Sequence, residues 1–124
     1  MDRLSRAEFL QHLREGLNRL HDPVFVRQSP LATLLGVADR FDTFSALQEI
    51  LFQAIEALEP GPDEPLHSPK WRMYEALHYR YVQQLSQNDV ADQLGIGERQ
   101  VRREQRAALE ALADYLWDKY SLHA

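Results

Sequence analysis

Arg99, Arg102, Arg103 and Arg106 recur at i, i+3, i+4 and i+7, so on a helix they share one face. A guanidinium can bond two acceptors on the edge of guanine, or grip a backbone phosphate. The plain alternative is a solvated arginine face. What precedes the four arginines favours the first. Gly97 and Glu98 open their helix, and Gln100 lies among them. Ser86, Gln87 and Asn88 begin the helix before it, where backbone N–H groups and short polar side chains can hold phosphate. These ten residues are the candidate DNA contacts. Gln105 also lies on this stretch, but a surface glutamine is commonplace.

No other chemistry competes. The chain has no cysteine, hence no disulfide and no thiolate metal site. His12, His21, His67, His78 and His123 are scattered, with no ligand-like i, i+4 pairing beside a carboxylate. No Gly-rich phosphate loop, nucleophile elbow or paired-acid motif occurs. An enzyme is therefore not expected, and neither is a cofactor or a metal. The aromatic residues Trp71, Tyr74, Tyr79, Tyr81, Tyr115, Trp117 and Tyr120 fall at helical spacing and read as core rather than as stacking platforms.

The elements that carry the arginines are legible in residues 85–106, LSQNDVADQLGIGERQVRREQR. Ser86 can cap a helix by accepting a backbone N–H one turn on. Val90, Ala91 and Leu94 form its apolar stripe, and Ala91 is small where a second helix must cross. Gly95 supplies the left-handed residue that ends the helix. Ile96 plugs the turn, Gly97 can cap the next helix, and Val101 points back into the angle. These offsets are those of a helix-turn-helix.

Extended at both ends, the segment resembles region 4 of bacterial sigma factors over about residues 70–116. The resemblance is carried by Leu77, Tyr81, Leu85, Ser86, Val90, Ala91, Leu94, Gly95, Ile96, Arg99, Val101, Arg102, Ala107, Leu109 and Leu112. It implies a promoter-reading helix pair followed by the tail of its second helix. One position departs from it: Glu104 stands where the family usually has an apolar residue, and it lowers the positive charge of the reading face.

The remaining sequence reads as helices only, giving an all-α bundle of about six with the helix-turn-helix near its C-terminal end and a long last helix. Ser5 and Glu8 form a capping box for a helix to about Leu20, broken by His21-Asp22-Pro23. Val24-Phe25-Val26 is too short to assign. Ser29-Pro30 starts a short second helix that Gly36 ends. Asp42 or Thr43 caps a third to about Leu58. Ser68-Pro69 opens a fourth, about 69–84, followed by one at about 87–94. The sixth runs from about Glu98 to Tyr120 without glycine or proline. Only its first three turns fit a DNA groove. Leu109, Leu112, Leu116, Trp117 and Tyr120 beyond them need burial, against the first 66 residues or against a second copy. Intrachain packing is the expectation, because the first and third helices each offer an apolar face.

At 124 residues the chain is long enough for one domain, or one small domain with an appendage. The Pro-rich run at 60–67 is the natural boundary, separating an N-terminal helical region, 1–59, from a sigma-region-4-like domain, 68–124. Charge follows that division: residues 1–66 hold 6 Lys/Arg against 11 Asp/Glu, and residues 67–124 hold 8 against 8. Screening limits charge effects to about 8–10 Å, so an acidic chain can still present a basic helix. No apolar run spans a membrane, and the start, MDRLSRAEFLQHL, is not an apolar signal peptide. The expectation is a cytoplasmic, bacterial transcriptional regulator that binds double-stranded DNA. It lacks any segment resembling the part of a sigma factor that melts a promoter. The alternative is a protein-interaction module whose acidic half meets RNA polymerase or another regulatory protein. The chain can also be the N-terminal part of a longer regulatory protein, and a homodimer is the alternative to intrachain packing.

Overall fold

The structure is a computed structural model and describes residues 4–122; Met1, Asp2, Arg3, His123 and Ala124, including the first residues of the amphipathic start and the fifth histidine, lie outside them. Among the described residues there are seven α-helices and no strand, so the fold is all-α. In chain order they are α1 (Arg6–Asn18), α2 (Pro23–Gln28), α3 (Pro30–Leu34), α4 (Thr43–Glu56), α5 (Pro69–Leu77), α6 (Gln87–Leu94) and α7 (Glu98–Lys119). A π-helical turn, His78–Val82, continues α5.

Local chemistry sets most of these boundaries. Ser5 Oγ accepts from Glu8 N at 3.0 Å while Ser5 N donates to Glu8 Oε1 at 3.3 Å, a complete capping box. Ser29 and Ser68 cap α3 and α5, each followed by proline at the first helical position. Gly36, at φ 81°, closes α3.

Two boundaries differ from the sequence reading. The short run Val24-Phe25-Val26 is helical, making α2, because the Asp22 carboxylate caps Phe25 N at 3.2 Å after the break. That N–H and the Arg19 guanidinium hold the Asp22 carboxyl below its ordinary pKa. The expected fourth helix, 69–84, keeps α-geometry only to Leu77, and the π turn follows. Gln83 N reaches back to His78 O at 3.0 Å, and Leu85 N to Tyr79 O at 2.9 Å. The wider turn ends the element in time for Ser86 to start a new helix. At the head of α4, the side chains of Asp42 and Thr43 make contacts within the preceding loop. Asp42 binds Arg40 at 2.7 Å, and the buried Thr43 hydroxyl lies 2.6 Å from the Arg40 carbonyl and 2.7 Å from that of Val37.

The chain forms two compact units. One comprises residues up to 53 together with those from 113 onward; the other is 54–112, and the Pro-rich run 60–67 lies within it. In the first unit Phe9, Leu13, Leu17, Leu31, Leu47, Leu51 and Leu116 are buried. The tail of α7 packs against α1, as expected for intrachain burial. The Trp117 ring meets Phe9 edge-on at 5.5 Å between centroids, and Arg6 pairs with Asp114. Helix α1 touches α3 closely at Gly16, where an added Cβ would stand 2.7 Å from Leu31 Cδ1. Leu31 is wholly buried, with little room to yield. Gly16→Leu is therefore expected to cost about 1–3 kcal/mol by overpacking. That outweighs the ~1 kcal/mol that a better helix former contributes at such a position. A wild-type urea midpoint for this variant would refute the close approach.

In the second unit, α5 packs against α6. The end of α4 is tied to α5 through Glu56, which accepts from the Tyr74 hydroxyl at 3.1 Å and lies 3.3 Å from His78 Nε2. Burial, and then that carboxylate, push the Tyr74 hydroxyl well above its ordinary pKa. Trp71 Nε1 donates to Glu64 O at 3.2 Å, which fastens the Pro-rich run to α5.

Candidate nucleic-acid interface

The arginine face stands on a small apolar hinge. Val90, Ala91 and Val101 are buried together where α6 and α7 cross, and Tyr79, Leu85, Leu94 and Ile96 pack around them. Ala91 is 5% exposed, so a larger side chain has no space at the crossing. The turn between the helices is set by backbone geometry. Gly95 takes φ 67° and ψ 31°. This turns Gly95 N onto Asp92 O at 3.3 Å and Ile96 N onto Ala91 O at 3.1 Å, the paired closure that a left-handed residue makes possible. Ile96 then folds onto the hinge. A β-branched side chain in this region is strained. Gly95→Val is therefore expected to lose about 2 kcal/mol or more, whereas Gly97→Ser should be neutral or stabilising through a better cap. Thermal melts of the two variants check the contrast, and a wild-type melting temperature for Gly95→Val would sink the turn.

Around this hinge the ten candidate residues fall in place as follows. Arg99, Arg102, Arg103 and Arg106 are all exposed on α7, with Gly97 and Glu98 exposed at its start. Ser86 and Asn88 are exposed at the start of α6. The Ser86 hydroxyl is engaged as the cap, accepting from Asp89 N at 3.1 Å. Gln87 and Gln100 are half-buried. Glu98 lies 3.8 Å from the Arg102 guanidinium, an exposed pair that holds the side chain only weakly. The departure at Glu104 resolves simply: it is half-buried and accepts from Gln100 Nε2 at 2.9 Å. It therefore engages a neighbour on its own helix instead of filling the apolar hinge.

Sequence reasoning missed one feature. Gln87 Nε2 donates to Gln105 Oε1 at 2.8 Å, and Gln105 Nε2 donates back to Gln87 Oε1 at 2.8 Å. Periodicity relates residues a turn apart, and these two are 18 apart in the chain, so no local signal pairs them. Elsewhere, no group of three or more His, Asp or Glu among the described residues is placed to hold a metal ion. No described helix is long and apolar enough to cross a membrane.

Fold and site together define an all-α protein that carries a helix-turn-helix whose second helix presents four exposed arginines on its first turns. Residues 72–114 match the family model described as Sigma-70, region 4, a helix-turn-helix domain that suggests DNA binding. No curated protein and no solved structure matches the chain.

Proposed function

We propose that this protein is a sequence-specific DNA-binding regulator of bacterial transcription, acting in the cytoplasm through residues 68–124. The observation that carries the reading is the set of four exposed arginines on the first turns of α7, immediately after a helix-turn-helix hinge. Arg99, Arg102, Arg103 and Arg106 enter the major groove of double-stranded DNA, with Gln100 beside them. The start of α6 (Ser86, Gln87, Asn88) and the start of α7 (Gly97, Glu98) lie against the sugar–phosphate backbone. Residues 1–59 form a helical region joined through 60–67, and no cofactor takes part.

Full-length protein titrated with random-sequence duplex DNA at two salt concentrations tests the reading. Affinity should fall steeply as salt rises, because each phosphate contact releases counterions. Salt-independent binding, or none from folded protein, would overturn it.

A second reading is supported by the acidic first half, where 11 Asp/Glu face 6 Lys/Arg in residues 1–66. In it the protein is an interaction module that docks RNA polymerase or another regulatory protein through that half. Folded protein that ignores DNA in the titration favours this reading. Sedimentation of the same sample tells a homodimer from a monomer.

A further inference from the structure

We propose that Gln87 and Gln105 act as one positioning unit, coupling the phosphate-holding end of α6 to the base-reading face of α7. The inference rests on the DNA-binding reading above. Gln87 is the first residue of α6, where Ser86 caps Asp89 N and the helix dipole favours an anion, although Asp89 adds a negative charge to the same turn. Gln105 stands between Arg103 and Arg106, one turn beyond Val101 on α7. The apolar hinge joins the two helices at Val90, Ala91 and Val101. The amide pair joins them a second time, at the head of α6. Two points of attachment fix an angle where one leaves it free. The angle in turn sets the distance between phosphate contacts from α6 and guanine contacts from the arginines.

The pair also retains binding capacity. Each amide gives its mate one N–H and its carbonyl, and keeps a second N–H. Both side chains are half-buried, so the cyclic pair is partly shielded from competing water. A phosphodiester oxygen accepting the remaining N–H of Gln87 would polarise the pair and tighten both of its bonds. Gln105 then acts on DNA through Gln87, as a positioning residue.

A double-mutant cycle on the full chain, read by anisotropy with random-sequence duplex DNA at two salt concentrations, tests this. Gln87→Ala and Gln105→Ala should each weaken binding about tenfold, the worth of one hydrogen bond to a charged group. The double variant should be no weaker than either single one. The slope of log affinity against log salt should stay unchanged, since no cation is removed. Gln87→Lys combined with Gln105→Glu restores the tie as an ion pair, and should bind better than Gln105→Glu alone. Additive losses overturn the proposal, as does a lower melting temperature with affinity intact. If folded wild-type protein does not bind duplex DNA, the DNA-binding reading fails and the coupling with it. If wild type binds and the cycle is additive, only the coupling fails.

Discussion

Replacing Arg102 and Arg103 together by alanine should weaken binding to duplex DNA about a hundredfold, at roughly one tenfold step for each lost charge-assisted hydrogen bond. It should also flatten the salt dependence. At roughly 0.9 per phosphate contact, the slope of log affinity against log salt should drop by about 1.8 if both side chains hold phosphates. A smaller drop would mean that one of them reads a base edge. Both residues are exposed, and the Glu98 contact to Arg102 is long at 3.8 Å, so the variant should melt as wild type does. That separation of stability from affinity gives the experiment its force. An unchanged affinity and an unchanged slope in a folded variant would remove the arginine face from the interface. A flattened slope would distinguish these cations from the neutral amides of Gln87 and Gln105, whose loss is expected to lower affinity at a constant slope.

The largest expected effect on stability comes from the far end of the same helix. Leu116 is wholly buried in the first unit, beside the Trp117 that packs on Phe9. Leu116→Ala should cost about 2–5 kcal/mol, the lost transfer free energy plus the cavity left behind. Small domains have only about 5–15 kcal/mol to lose, so denaturant midpoints should shift far to the left. Removing residues 1–58 should do worse. It strips Phe9 and the rest of α1 from the tail of α7 and leaves the Leu116–Trp117 patch bare, so the fragment should aggregate. A stable, soluble dimer of that fragment by sedimentation would show instead that the tail serves as a dimerisation helix.

The two predictions sit at opposite ends of α7, a helix of 22 residues and so about 33 Å long at 1.5 Å per residue. Its first turns expose one face because arginines recur there at helical spacing, and its last turns bury another because Leu109, Leu112 and Leu116 do the same. One unbroken element therefore carries both the exposed arginine face and part of the core.

Much of this was legible in the residues, for a physical reason. Capping and turn chemistry act within four or five positions, so Ser5 with Glu8, Ser29-Pro30, Ser68-Pro69 and Ser86 announce helix starts, and Gly36 and Gly95 announce ends. The helix-turn-helix is a run of such local rules with an apolar residue at each required offset, and it emerged with its hinge at Val90, Ala91 and Val101. The placement of four arginines on one surface followed from periodicity alone. Long-range choices left no such trace. Nothing near His78 predicts a π turn, because the turn answers to where Leu85 and Tyr79 must meet the hinge. The hold of Thr43 on the Val37 and Arg40 carbonyls depends on how the chain returns from α3. The surplus apolar side of α7 had two possible partners in the sequence, and tertiary packing assigned it Phe9 of α1. The joining of Gln87 to Gln105 is of the same kind. Each residue alone is an ordinary surface glutamine, and only the crossing of α6 and α7 brings their amides within 2.8 Å.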